Sequence, residues 1–216
     1  MVDFLLVHDV GHGAWSWGRV WGHLTAPEEI PPNLSAKHNI GKIVSIDLPG
    51  HGSRSEEDTS SLTYGDFAEV IVREVEDNRL RDVILVGHGM SAPILLQAAA
   101  KLEHPPKRIV LFAGVLPYDG RTPLEMLPFT TGLIFKLMTS INRVKGGKTK
   151  IPKFLIEHYY SNDLDSFESV QIIGRFTPVP VQLLNTNVDL GKSIGDLRVT
   201  YVPLWRDRLV PLDRQR

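Results

Sequence analysis

Four short apolar runs punctuate the first half of the chain without polar alternation: FLLV (4–7), KIVSIDL (42–48), DVILVGH (82–88) and RIVLFAG (108–114). A fifth, RVTYVPLW (198–205), lies far downstream. A strand with one wet face alternates apolar and polar residues, whereas unbroken Val, Ile and Leu mark strands covered on both faces. Between the second and third runs, Phe67, Val70, Ile71 and Val75 fall at helical spacing, and Thr63 with Asp66 makes a capping pair at the start. After the third run, SAPILLQAAAKL reads as a helix with Pro93 in its first turn, where the missing N–H costs little. Strands alternating with helices predict an α/β fold, a mostly parallel sheet flanked by helices with right-handed crossovers.

Residues 116–197 break this rhythm. TTGLIFKLMTSI, PKFLIEHYY and LDSFESVQIIG are amphipathic helical segments separated by prolines and by KGGK. A long insertion between two strands of a parallel sheet is expected to form a helical lid over the site. The chain is expected to be one domain: a core over 1–115, the lid or cap over 116–197, and a closing strand and loop over 198–216.

Composition narrows the function. The 216 residues suffice for one sizeable core. A net charge of −1 and the lack of a basic stripe interleaved with aromatics argue against nucleic acid as a partner. With no cysteine there is no disulfide, thiolate metal site or cysteine nucleophile. MVDFLLVHDV has no basic n-region and only a four-residue apolar run, too short for a signal peptide or a membrane span. A cytoplasmic protein without membrane attachment is expected, so the glycosylation pattern at Asn33 carries no weight. NRVKGGKTK (142–150) is checked as a phosphate loop, but Asn142 stands where a Walker A glycine is needed and no strand precedes it. It reads as a basic loop. No HExxH and no tight His/Asp cluster supports a metal site.

Ligands in open α/β sheets bind outside the carboxyl ends of the strands. Two such ends carry HDVGHGAWSW (8–17) and GHGMS (87–91), with DLPGHGSRS (47–55) between them. These stretches resemble the α/β-hydrolase superfamily, in particular its plant and bacterial branch of methyl-ester hydrolases and hydroxynitrile lyases. The resemblance runs over almost the whole chain. It implies a nucleophile elbow at GHGMS, a strained strand-to-helix turn with small neighbours. It implies an oxyanion hole from the backbone N–H groups of Val10 and Met90, and the acid of a Ser-His-Asp triad at Asp207. It also implies cofactor-free cleavage of esters of small hydrophobic acids or of related small molecules. Ordered matches of this kind are specific for fold and much weaker for activity.

The chain departs from that pattern at the chemistry. Gly89 occupies the nucleophile position and leaves it vacant, and Ser91 stands two residues later. Asp9 follows His8 where Gly or Thr is usual. The sequence stops nine residues after Asp207, before the relatives' histidine. Without the segment beyond, the last strand is expected to be an open edge that favours a homodimer or aggregation.

Each candidate has two readings. Ser91 is a displaced nucleophile or a helix-start serine bonded to backbone. Asp9 is a general base or a turn aspartate held by N–H groups. His12 and Trp15 contact substrate or pack beside the pocket. Asp207, followed by Arg208, is the family acid or one half of an ion pair. His88 and His51 are expected to be structural. The expectation overall is an esterase-type α/β-hydrolase fold acting on small hydrophobic esters, with an impaired or lost serine mechanism. A non-catalytic small-ligand or partner-binding protein and a cofactor-free proton-transfer enzyme or lyase using Asp9 are the alternatives.

Overall fold

The computed structural model describes residues 1–26, 40–117, 120–141, 143–190 and 195–215. Asn33, Asn142 and Arg216 lie outside the described residues. The five apolar runs form β1 (Val2–Val7), β2 (Ile40–Ile46), β3 (Ile84–His88), β4 (Arg108–Phe112) and a last strand, Val199–Val202. That last strand is β8, because three two-residue strands precede it. The main sheet runs β2-β1-β3-β4-β8, and every pairing is parallel.

The chain steps from β1 outward to β2, then returns to place β3 on the other side of β1. Strand order reverses at this point, and the crevice beyond the carboxyl ends of β1 and β3 is where such sheets hold ligands. Register fixes what meets there. Val7 pairs with Gly87, so the residues two places further on, Asp9 and Gly89, leave the sheet side by side.

Helices α1 (Gly18–Thr25), α2 (Tyr64–Asp77) and α3 (Ala92–Lys101) follow β1, β2 and β3. The Thr63–Asp66 capping box is present: Thr63 N donates to Asp66 Oδ2 at 2.7 Å and Asp66 N to Thr63 Oγ1 at 3.3 Å. One sheet face is fully buried, with Leu5, Val7, Leu85, Ile109 and Leu111 packed against Phe67 and Ile71 of α2 and Leu95 of α3. The opposite face is covered only in part among the described residues. Leu6, Val86 and Trp17 are buried there, while Phe4, Ile43, Ile84, Val110 and Phe112 stay half-exposed. The expectation of cover on both faces is thus met fully on one.

Between β4 and β8 lie α4 (Phe129–Ile141), α5 (Lys153–Tyr160), α6 (Ser166–Arg175) and α7 (Gln182–Asn185). A small antiparallel sheet joins them, built from β5 (Arg143–Val144), β6 (Lys148–Thr149) and β7 (Val179–Pro180). Strands of two residues carry no periodicity, so sequence pattern does not reveal them. KGGK forms the turn between β5 and β6, with φ of +78° at Gly146 and +69° at Gly147. Buried Lys148 donates through Nζ to the carbonyls of Ser55 and Glu57. The lysine ties the hairpin to the loop after β2.

Candidate active site

The turn after β3 is a tight strand-to-helix turn with a glycine at its tip. Gly89 sits in the left-handed region at φ +56°, and residues 89–91 form a 3-10 turn that runs into α3. A β-carbon on Gly87 would lie 2.2 Å from Leu95 Cδ1 and 2.9 Å from Ser91 Oγ, so a side chain there would push against the start of α3. Ser91 is buried and faces the strand backbone. Its Oγ donates to the His88 carbonyl at 2.8 Å and accepts from His88 N–H at 3.0 Å. Ser91 is absent from the cavity lining, which does not fit the displaced-nucleophile reading: two positions past the elbow, the side chain turns back under β3.

Asp9 fills the space that the elbow leaves. An ideal β-carbon on Gly89 would stand 2.3 Å from Asp9 Cγ and 2.4 Å from each carboxylate oxygen. Asp9 Oδ1 accepts from Val10 N–H at 2.8 Å and from Met90 N–H at 2.7 Å. These are the two donors that the sequence resemblance implies for an oxyanion hole. They converge on one point, and a carboxylate oxygen occupies it. Asp9 is 3% exposed. Burial pushes its pKa up, against the opposing pull of nearby His12 and the two N–H bonds.

Histidines hold the loop around Asp9. Leu48 N–H donates to His8 Nε2 at 3.1 Å, which leaves Nδ1 to donate to the Asp9 carbonyl at 2.7 Å. This network needs a neutral ring, and burial lowers the His8 pKa to about 4. His51 is fully buried and lies against His8, ring centroids 4.9 Å apart. Asp47 fastens the next piece, accepting from Ala14 N–H at 2.7 Å and from Ser53 N–H at 2.9 Å.

His12 donates from Nδ1 to the Val10 carbonyl at 3.2 Å, and burial lowers its pKa to about 4. Its ring contacts Trp15, Phe176 and Tyr160 with centroids 5.4–5.5 Å apart. Trp15 is not among the cavity-lining residues. It stacks behind His12, with the Arg175 guanidinium 5.7 Å from its ring centroid. Trp15 therefore supports the wall of the site from outside, and the substrate-contact reading does not suit its position.

Asp207 lies in the loop after β8. Its Oδ1 accepts from Leu209 N–H and Val210 N–H, both at 2.8 Å. Burial raises its pKa, with the Asp9 charge acting in the same direction and His88 opposing. Burial lowers the His88 pKa, against the pull of Asp207. Asp9, His12, His88 and Asp207 all border one cavity of about 430 Å³. Its other walls include Tyr159 and Tyr160 of α5, and Leu204, Trp205, Arg206 and Leu209 around Asp207. The α5 tyrosines and Trp205 carry no motif that marks them as wall residues in the sequence. HYY closing an amphipathic helix and LWRD flanking the acid were the available signals. Among the described residues no cluster of His, Asp and Glu is arranged to hold a metal ion, and no helix is long and apolar enough to cross a membrane.

A five-stranded parallel sheet flanked by helices, with a tight strand-to-helix turn after β3, is the architecture of an α/β-hydrolase. The chain belongs to the alpha/beta hydrolase family, whose model matches residues 4–212. Within it, the resemblance is to the methylesterase branch. Methylesterase 9 of Arabidopsis thaliana is 24% identical over 230 residues, covering 100% of this chain and 84% of the relative. An extracellular α/β-hydrolase from a Paenibacillus species superposes with a TM-score of 0.82 at 19% identity, covering 98% of this chain and 81% of that one. A methylesterase from Arabidopsis superposes at 0.71 and 19% identity, covering 100% and 83%. The protein is of the esterase type within this family.

Proposed function

We propose that this esterase-type protein has lost the serine mechanism and keeps the site as a pocket for a small, largely hydrophobic molecule. The observation that supports it is the double occupancy by Asp9. Acyl transfer requires a nucleophile above the elbow and empty donors for the developing oxyanion. Residue 89 has no side chain, and both donors are spent on Asp9 Oδ1. A second anion placed beside that carboxylate would be repelled rather than stabilised.

Hydrolysis of a short-chain aryl ester by the purified protein, beside Ser91→Ala, tests the reading. The expected outcome is the same rate for both, at or barely above buffer, together with saturable binding of small apolar ligands. A clear rate that Ser91→Ala abolishes overturns it. Losing triad members leaves roughly 10³- to 10⁴-fold over water in serine proteases, so a weak shared rate does not by itself restore the serine.

A second reading, proton transfer by Asp9, is favoured by one feature. Asp9 Oδ2 has no hydrogen-bond partner among the described residues, and the residue borders the cavity. A buried carboxylate with a raised pKa suits a general base. Activity lost on the acid side and abolished in Asp9→Asn supports this reading, and activity unchanged in Asp9→Asn removes it.

A further inference from the structure

The polar atoms at the floor of the cavity are arranged to receive hydrogen bonds. Asp9 and Asp207 share one construction: in each, Oδ1 is capped by two backbone N–H groups, at 2.7 and 2.8 Å in Asp9 and at 2.8 Å twice in Asp207. The second oxygen of each has no hydrogen-bond partner among the described residues. His12 is 7% exposed. Its Nδ1 donates to the Val10 carbonyl, so the neutral ring turns an unshared pair on Nε2 toward a partner it lacks. Arg206, which borders the cavity, is already engaged by Asp163 at 2.8 Å. Around this floor stand Tyr159, Tyr160, Trp205 and Leu209. An apolar-walled cavity with unfilled acceptors at its base calls for a ligand with several donors on a small head and an apolar body.

We propose that the cavity binds a small protonated amine, its ammonium between Asp9 and Asp207 and its hydrocarbon or aromatic body against Tyr160 and Trp205. The inference rests on the pocket reading above. An ammonium carries three donors and no acceptor. It offsets the mutual repulsion of two carboxylates that border one cavity, and it packs favourably against aromatic faces. A carboxylate ligand meets like charge, and a neutral alcohol of the same shape satisfies one acceptor at most.

Calorimetric titration with phenethylamine, 2-phenylethanol and 3-phenylpropionate tests the inference on the parent protein, Asp9→Asn and Asp207→Asn. Asparagine keeps an oxygen for the backbone N–H groups and removes the charge, and unfolding curves establish that each variant is folded. Phenethylamine is expected to bind at least tenfold tighter than the alcohol, with no binding of the acid. Each substitution is expected to weaken the amine at least fivefold and the alcohol by much less. Equal affinity for amine and alcohol, or an amine affinity indifferent to both substitutions, overturns the amine inference and leaves the pocket reading standing. No binding of any of the three overturns both.

Discussion

The Asp9 carboxylate stands where a side chain on Gly89 would have to go, its three terminal atoms 2.3–2.4 Å from an ideal β-carbon. The two residues are therefore coupled, and the absence of a serine is matched by the presence of the aspartate. Gly89→Ser alone must displace Asp9 from its two N–H bonds and hold a side chain at φ +56°. Overpacking of this kind costs about 1–3 kcal/mol, and the left-handed backbone adds about 1 kcal/mol. Combining Gly89→Ser with Asp9→Gly removes the clash and is expected to recover most of the overpacking loss. Denaturant unfolding of the parent, both single variants and the double variant gives the coupling directly. Strictly additive effects would show that the carboxylate and the elbow are independent.

Much of this relationship follows from register, and register is not legible in one sequence. The apolar runs reveal five strands because a sheet covered by helices leaves no polar alternation to blur them. The Thr63–Asp66 box is equally legible, since a cap depends on residues three apart. The pairing Val7↔Gly87 joins positions eighty apart, and only that pairing sets Asp9 against Gly89. The sequence therefore shows an aspartate after β1 and a glycine at the elbow as two separate oddities. The cavity is harder still. Tyr160 comes from α5 and Trp205 from the loop after β8, and the helical packing that brings them to Asp9 has no local signature. Ser91 and Trp15 show what a residue type within a motif leaves open, namely which way the side chain faces. Both sit within the right stretch, yet one side chain folds back under β3 and the other stands behind His12.

Ser91 is tied to backbone rather than to chemistry. Its Oγ satisfies His88 N–H and donates to the His88 carbonyl within the buried turn. Ser91→Ala leaves that N–H without its partner, a loss of about 1–3 kcal/mol. Chemical denaturation should show this destabilisation. Ligand affinity of the cavity should stay at the parent value, because Ser91 does not border it. A changed affinity with unchanged stability would return Ser91 to the site.

Acid should weaken the fold through its histidines. His8, His12, His51 and His88 all have pKa values lowered by burial, His8 and His12 to about 4. An unfolded histidine titrates near 6.5, so between 6.5 and about 4 the unfolded chain holds protons that the folded one refuses. Stability is full above that window and falls as pH drops through it, by about 1.4 kcal/mol per pH unit for each histidine so affected. Asp9 and Asp207, with raised values, act in the opposite direction, since the folded state takes up protons before the unfolded one. They offset the loss only in part, being two groups against four. Urea unfolding at pH 7, 6 and 5 should give a declining stability. The decline should be shallower in His8→Asn, which cannot titrate and whatever its stability at pH 7. An identical slope in the two proteins would show that His8 is not held neutral by its bonds to Leu48 and Asp9.

The segment after α6 closes on the site through Gly11. Thr177 N–H donates to the Gly11 carbonyl at 2.8 Å, and the Phe176 ring lies over the glycine so closely that a β-carbon would stand 2.0 Å from its edge. The same ring packs against His12 and Tyr160, centroids 5.4 and 5.1 Å away. Gly11 also holds φ +75°, so alanine meets strain and a clash together. Gly11→Ala must push Phe176 outward, and the ring that backs His12 and Tyr160 goes with it. The cavity wall should loosen while the sheet, which makes no use of this contact, keeps its packing. Limited proteolysis is expected to cut near residues 175–178 faster in the variant, with amide exchange in β1 and β3 little changed. Phe176→Ala should relieve the clash, so that Gly11→Ala added to it costs only the backbone strain at φ +75°, about 1 kcal/mol. If cleavage and exchange rise together across the molecule, Gly11 supports the whole fold rather than the closure over the site.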